Sequence, residues 1–158
     1  MSGEPDAEFE CDLEARKRAS FGQLLFKSAR LLNERAIARL RETTGQPVRA
    51  AHTALLPHID LEGTRLTELA RRLGTTKQAA AELVSELAEM GLLERVPDPI
   101  DGRAKLIRFS QKGKAGLLQG LALLAQLEAE IAHAIGERRA KALHDALLRI
   151  VDLLESAP

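Results

Sequence analysis

The residues with the most chemical potential in this chain lie in one short run, Thr75-Thr76-Lys77-Gln78-Ala79-Ala80-Ala81. A side-chain amide can pair bidentately with adenine, and an ammonium can meet guanine or a phosphate. Gln78 and Lys77 supply those two groups side by side. Thr76 is suited to cap a helix, its hydroxyl accepting an orphan backbone N–H of the first turn. A helix start carries free N–H groups and partial positive charge, which favour phosphate. The competing reading of Lys77 and Gln78 is an ordinary solvated helix start. Of the alanines, Ala80 is expected in the core, while Ala79 or Ala81 can approach a thymine methyl or permit close docking. Glu82 sits uncomfortably beside phosphate. Arg71, Arg72, Arg95 and Lys105 are the cations nearby, suited to phosphate contacts that fix register without reading sequence.

The elements around this run follow from spacing. Leu69, Ala70 and Leu73 mark a short helix over Glu68 to Leu73, ended by Gly74, whose lack of a Cβ suits a left-handed cap. A second helix, Thr76 to Met90, buries Ala80, Leu83, Val84 and Leu87, and Gly91 stops it. Two helices joined by a glycine turn, the second with a polar leading end, form a helix-turn-helix. Leu92 to Val96 and Lys105 to Phe109 then read as strands around Pro97-Asp98-Pro99-Ile100-Asp101-Gly102-Arg103, where Asp-Gly signals a hairpin turn with positive φ. Thr64-Arg65-Leu66 adds a short strand against this wing.

Leu66-Thr67-Glu68-Leu69-Ala70, Thr76-Lys77-Gln78-Ala79, Glu94-Arg95-Val96-Pro97-Asp98-Pro99 and Asp101-Gly102-Arg103-Ala104-Lys105-Leu106, closing at Gly113, resemble the MarR family of bacterial transcriptional regulators. The resemblance extends over nearly the full chain after residue 15, and its most specific part is the Asp-x-Arg wing. It implies a mostly α fold with a small β-wing, a winged helix-turn-helix of six helices that dimerises through its terminal helices. It also implies a homodimer on double-stranded DNA with a palindromic operator, repression as the default, and release by a small aromatic or phenolic effector. Arg103 would enter or flank the minor groove, held by Asp101; a plain Asp101–Arg103 salt bridge shaping the turn is the alternative. The DNA-contacting set is then Thr75, Thr76, Lys77, Gln78, Ala81, Arg71, Arg72, Arg95, Asp101, Arg103 and Lys105. The effector pocket would lie among Leu32, His52, Leu55, Leu56, Leu117 and Leu121, with His52 alternatively a satisfied structural histidine.

Composition bounds the rest. The 158 residues are 45% hydrophobic and 29% charged, a globular balance, while aromatics are only 3%, which leaves an Ala/Leu core suited to helix-on-helix packing. Formal net charge is zero, but its distribution is uneven. Residues 1–14 hold six acids and no base, residues 16–41 eight bases and one acid, and residues 65–114 ten bases against seven acids. Phosphate binding depends on such local patches rather than the whole-chain sum. The expected organisation is an acidic flexible arm over 1–15, a helical dimerisation region over 16–46 and 114–158, and a DNA-binding lobe over 47–113.

In that region Arg16 to Glu42 reads as one long helix, with Phe21, Leu25, Ala29, Leu32, Ala36 and Leu40 forming a buried stripe. Val48 to about Ile59 is a shorter helix ending or kinking before Pro57. Gln111 to Ile135 carries Leu117, Leu121, Leu124, Glu128, Ile131 and Ile135 on one face, and Leu118, Ala122, Ala125 and Ala129 on another. Two apolar faces need cover on two sides, and a second subunit is the natural cover for one. Gly136 interrupts the run before a last helix, Ala140 to Leu154.

No apolar run is long enough for a membrane span and the amino terminus does not resemble a signal peptide, which leads to a cytoplasmic expectation. No cofactor is implied. His52, His58, His133 and His144 are scattered without metal-ligand spacing, and no HExxH, phosphate-binding loop or nucleophile elbow points to catalysis, so no enzyme is expected. Two alternatives stand beside the DNA-binding regulator. One is a winged helix used only for protein–protein contact. The other is redox sensing at Cys11, disfavoured because Glu10 and Asp12 oppose a thiolate.

Overall fold

The computed structural model describes residues 4–156 and is mostly helical, with a small three-stranded sheet. In chain order the elements are α1 (Glu4–Ala19), α2 (Phe21–Thr44), α3 (Ala50–Leu55), a 3₁₀ turn (Leu56–His58), β1 (Thr64–Arg65) and α4 (Leu66–Leu73). They continue with α5 (Lys77–Glu89), β2 (Leu93–Pro97), β3 (Lys105–Phe109), α6 (Gln111–Ile135) and α7 (Glu137–Glu155). The strands are antiparallel in the order β1-β3-β2, with Ile107 opposite both Thr64 and Arg95.

The helix-turn-helix closes as its caps require. Gly74 is left-handed, at φ 63°, and its N–H and that of Thr75 return to the last carbonyls of α4. Thr76 Oγ1 accepts from Ala79 N at 3.1 Å, fixing the start of α5. Ala80, Val84 and Leu87 on α5 are fully buried and Leu83 is half-buried. The core joins Leu55, Ile59, Leu69, Val84, Leu87, Leu93, Ile107 and Phe109, so α3, α4 and α5 share one apolar centre with the sheet.

Several expectations change. Residues 4–14 belong to helix α1 rather than a frayed arm, which makes seven helices instead of six. Their acids lead the helix and Arg16, Lys17 and Arg18 occupy its last turn, a distribution that complements the macrodipole. Asp12–Arg16 and Glu14–Lys17 ion pairs add spacing-dependent support. The long first helix is broken at Ser20, which is extended at ψ 113° and caps α2 through Gln23 N. The α2 stripe is covered mainly towards its carboxyl end, where Leu32, Ala36 and Leu40 are half-buried beside the buried Ile37, whereas Phe21 is 72% exposed. The α3 helix stops at Leu55, and Pro57 falls in the following 3₁₀ turn, where a missing N–H costs little.

On α6 the buried stripe is rotated from the expected one. Gly113 and Leu127 are buried and Gly116, Leu117, Gly120, Leu123 and Leu124 half-buried, while Leu121 is 62% exposed. At its start the backbone comes close: a Cβ on Gly113 would overlap the Leu92 carbonyl oxygen and lie 2.9 Å from its carbon. No residue of α7 is buried within the single chain.

Candidate nucleic-acid interface

The leading end of α5 is open. Thr75, Thr76, Lys77 and Gln78 are all exposed, and Ala81 is half-exposed on the next turn. Gln78 Nε2 donates to Glu82 Oε1 at 3.3 Å, one turn along the same face. Beside this face Arg95, exposed on β2, donates from its guanidinium to Ser85 Oγ at 3.0 Å.

The wing is built differently from an Asp-Gly hairpin turn. Gly102 is not at positive φ; the tip closes when Ala104 N donates to Asp101 O at 2.8 Å, and Asp98 N donates to Ala104 O at 3.0 Å. Asp98 is the organiser, and it is 95% removed from solvent, being 5% exposed. Its Oδ1 accepts from Ile100 N at 2.9 Å and Asp101 N at 3.3 Å, and its Oδ2 accepts from Arg65 Nε at 2.7 Å. The Ile100 N–H, followed by Arg65, holds the Asp98 carboxyl below the usual carboxylate range. Sequence reasoning passed over both residues, although Pro97-Asp98-Pro99 offers an Asx-turn signal.

Asp101 does not grip the Arg103 guanidinium, and no salt bridge joins them among the described residues. Instead Asp101 Oδ1 accepts the Arg103 backbone N–H at 3.2 Å, steadying the main chain while the side chain projects from the tip. Arg103 and Lys105 are both exposed.

The two arginines of α4 differ from expectation and from each other. Arg72 is committed: its guanidinium bonds Asp60 at 2.9 and 3.0 Å, Glu68 at 2.8 Å and the His58 carbonyl at 2.8 Å. It is a brace between α4 and the loop before β1, not a free phosphate donor. Arg71 also bonds Glu68, yet stays 73% exposed. Between them, Arg71 first, they hold the Glu68 carboxyl down to about 2.

A cavity of about 740 Å³ opens between α2, the α3 region and α6. Leu32, Leu56, Leu117 and Leu121 line it, with Asn33, Thr53, Leu87 and Lys112. His52 and Leu55 do not. Leu55 is wholly buried in the core, and His52, 1% exposed, is turned towards α5. Its Nδ1 accepts from Arg49 N at 3.3 Å and its Nε2 meets Glu86 Oε2 at 2.7 Å, so the neutral Nε2–H tautomer fits both contacts. Arg49 closes the same carboxylate with Nε to Oε2 at 3.0 Å and a second nitrogen to Oε1 at 2.5 Å. Arg49 first, then His52, keeps the Glu86 carboxyl below its ordinary value. This clamp between α3 and α5 was not read from the sequence, because its partners lie 34 and 37 residues apart.

Comparison with known proteins decides what kind of lobe this is. Residues 47–104 match the model of the MarR family. The winged-helix lobe belongs to the MarR family. Solved structures extend the likeness beyond it. The multiple antibiotic resistance repressor MarR is 21% identical with a TM-score of 0.67, covering 83% of this chain and 94% of its own. The transcriptional regulator PA3341 is 26% identical at 0.62, covering 87% and 100%. CouR from Rhodococcus jostii RHA1, solved with p-coumaroyl-CoA, is 24% identical at 0.60, covering 85% and 93%. Comparison with curated protein sequences finds no match. Within this MarR-type frame α5 is the second helix of the helix-turn-helix and β2-β3 the wing. Cys11 is exposed on α1, and no helix among the described residues is long and apolar enough to cross a membrane. No group of three His, Cys, Asp or Glu among them is arranged to hold a metal ion.

Proposed function

We propose that the chain is a DNA-binding transcriptional regulator, a repressor by family default, acting in the cytoplasm as a homodimer on an inverted repeat. The observation that carries this reading is the set of exposed groups on one lobe: the capped, open start of α5 with Lys77 and Gln78, beside a wing presenting Arg103 and Lys105. The start of α5 enters the major groove, with Thr75, Thr76, Lys77, Gln78 and Ala81 against bases and phosphates. Arg103 reaches the minor groove, and Asp101 supports it through the main chain. Arg95 and Lys105 serve the backbone, Arg71 joins them only by releasing Glu68, and Arg72 acts only as a brace.

One short helix and one wing give limited affinity, so two copies are needed, their recognition helices about 34 Å apart on one turn of duplex. Residues 47–113 form the DNA-binding lobe, and 16–46 with 114–158 the dimerisation region. Supporting this, Leu118, Leu148 and Leu154 are 70%, 53% and 69% exposed in the single chain, an apolar surface that a second copy would cover. The 740 Å³ cavity suits a small, mainly apolar effector, aromatic or phenolic in kind; CouR was solved with p-coumaroyl-CoA, whose acyl group is phenolic although the whole ligand is larger and charged. An effector must favour the DNA-incompetent state to release the operator.

The test is a gel-shift titration of purified protein on inverted-repeat fragments selected from a random duplex pool. Tight, salt-sensitive binding that Arg103→Ala abolishes, with the dimer intact by light scattering, is expected. Unchanged affinity in Arg103→Ala refutes the wing assignment, and a monomer that ignores every fragment refutes the whole reading.

A further inference from the structure

The DNA-reading face of α5 carries a carboxylate that phosphate contact does not explain. Glu82 is exposed one turn after Gln78, and among the described residues no cation lies within 4.0 Å of it. Arg95, exposed on β2, bonds Ser85 Oγ instead. Left against a phosphate, such a group would only repel.

We propose that Glu82 is a specificity residue that reads cytosine, working as a pair with Gln78. This rests on the DNA-binding reading above. The pairing follows from hydrogen-bond accounting. One Nε2–H of Gln78 goes to Glu82 Oε1 at 3.3 Å. The other Nε2–H and the Gln78 Oε1 remain, which are the donor and acceptor that adenine N7 and N6 require. The bond aligns the Glu82 carboxylate and leaves Oε2 free to accept. In the major groove only cytosine N4 and adenine N6 donate, and adenine places its N7 acceptor beside the donor. Guanine O6 and thymine O4 would face the carboxylate acceptor to acceptor. Cytosine is therefore the base that Glu82 selects. The two side chains are four residues apart, about 6 Å along the helix, and base pairs are spaced about 3.4 Å. The cytosine lies one or two steps from the adenine, in both half-sites.

The experiment selects duplexes from a randomised pool with the full-length protein, then measures affinity for each base at the enriched cytosine. Wild type is expected to prefer cytosine over thymine or guanine by about tenfold or more. Glu82→Ala should cut that preference below about twofold at this position alone, and Glu82→Gln, isosteric and uncharged, should shift it towards adenine. Glu82 is exposed, so neither variant disturbs the core. A Glu82→Ala protein that binds every base more tightly by the same factor overturns the proposal and leaves DNA binding standing. So does a wild type without cytosine preference one or two steps from the adenine. Failure of the wild type to enrich any duplex overturns both.

Discussion

Gly113→Ala reverses the sign that helix propensity alone predicts. In an exposed helix interior, replacing glycine with alanine stabilises by about 0.8–1 kcal/mol. At Gly113 the added methyl would overlap the Leu92 carbonyl oxygen, a backbone atom that cannot rotate away. The same segment is tied to the start of α6 by Ser110 N to Leu92 O at 3.1 Å, Ser110 Oγ to Gly91 O at 2.6 Å and Lys112 Nζ to Met90 O at 2.6 Å. Relief means moving the first turn of α6 away from residues 90–92 by about an ångström. That costs the strain of overpacking, about 1–3 kcal/mol, and weakens one or two hydrogen bonds worth about 1 kcal/mol each. Set against the propensity gain, the net loss is about 1–4 kcal/mol. Two glycines on the same helix act as controls. Gly116 would meet only Leu92 Cδ2 at 3.5 Å, and Gly120 has nothing within 4 Å, so their alanine variants should gain up to about 1 kcal/mol. Urea unfolding at one fixed protein concentration separates these outcomes. A Gly113→Ala midpoint at or above that of Gly120→Ala would show that the helix start does not rest on Leu92.

Three further outcomes follow from named contacts. The Asp98 carboxyl titrates below its unfolded value, so its contribution is complete above that value and is lost as pH falls through the folded one. Wild type should accordingly lose stability more steeply below about pH 4 than Asp98→Asn, measured by urea midpoints across pH. In the α3–α5 clamp, Glu86→Ala and Arg49→Ala should each lower the melting temperature, and the double variant should lose less than their sum, because both remove one contact. A charge placed on the α7 surface, as in Leu148→Asp or Leu154→Asp, should shift sedimentation towards the monomer and weaken operator binding while the single chain stays helical by circular dichroism.

The winged lobe was legible because its signals are local. Gly74, Thr76 and the Ala80–Val84–Leu87 stripe each decide their own turn of backbone, and the strands alternate about a marked loop. The ends of the chain were less legible for two physical reasons. The acidic start looks unstructured by composition, and it becomes a helix through acid–base spacing that a charge tally hides. The α6 register depended on the close approach of Gly113 to Leu92, which a stripe of large hydrophobics skips. In the candidate site, the exposed groups could be named from their types, whereas Arg65–Asp98, Arg72–Asp60 and Glu86–His52–Arg49 could not. Each joins elements distant in sequence, and the pairing decides which cations stay available.

That division of cations sets the electrostatics expected of the DNA complex. Arg49, Arg65, Arg72 and Arg108 are each held by a carboxylate, and Arg71 shares Glu68. Lys77, Arg95, Arg103 and Lys105 have no carboxylate within 4.0 Å among the described residues, since Arg95 bonds only the neutral Ser85 hydroxyl. If these four meet phosphate or groove in each half-site, a dimer neutralises about eight phosphates, and log K should fall against log salt with a slope of about −7. Between 50 and 200 mM salt the affinity would drop by about 10⁴. Were the five paired arginines equally engaged, nine cations in each half-site would steepen the slope to about −16. Anisotropy titrations over that range measure the slope directly. A value near −7 that flattens by about 2 in Lys105→Ala, one charge from each half-site, means that the internal ion pairs survive binding. A slope beyond about −12 means that they break and reform on phosphate, and the neutral net charge of the chain then reflects pairs held in reserve rather than pairs that hold the fold.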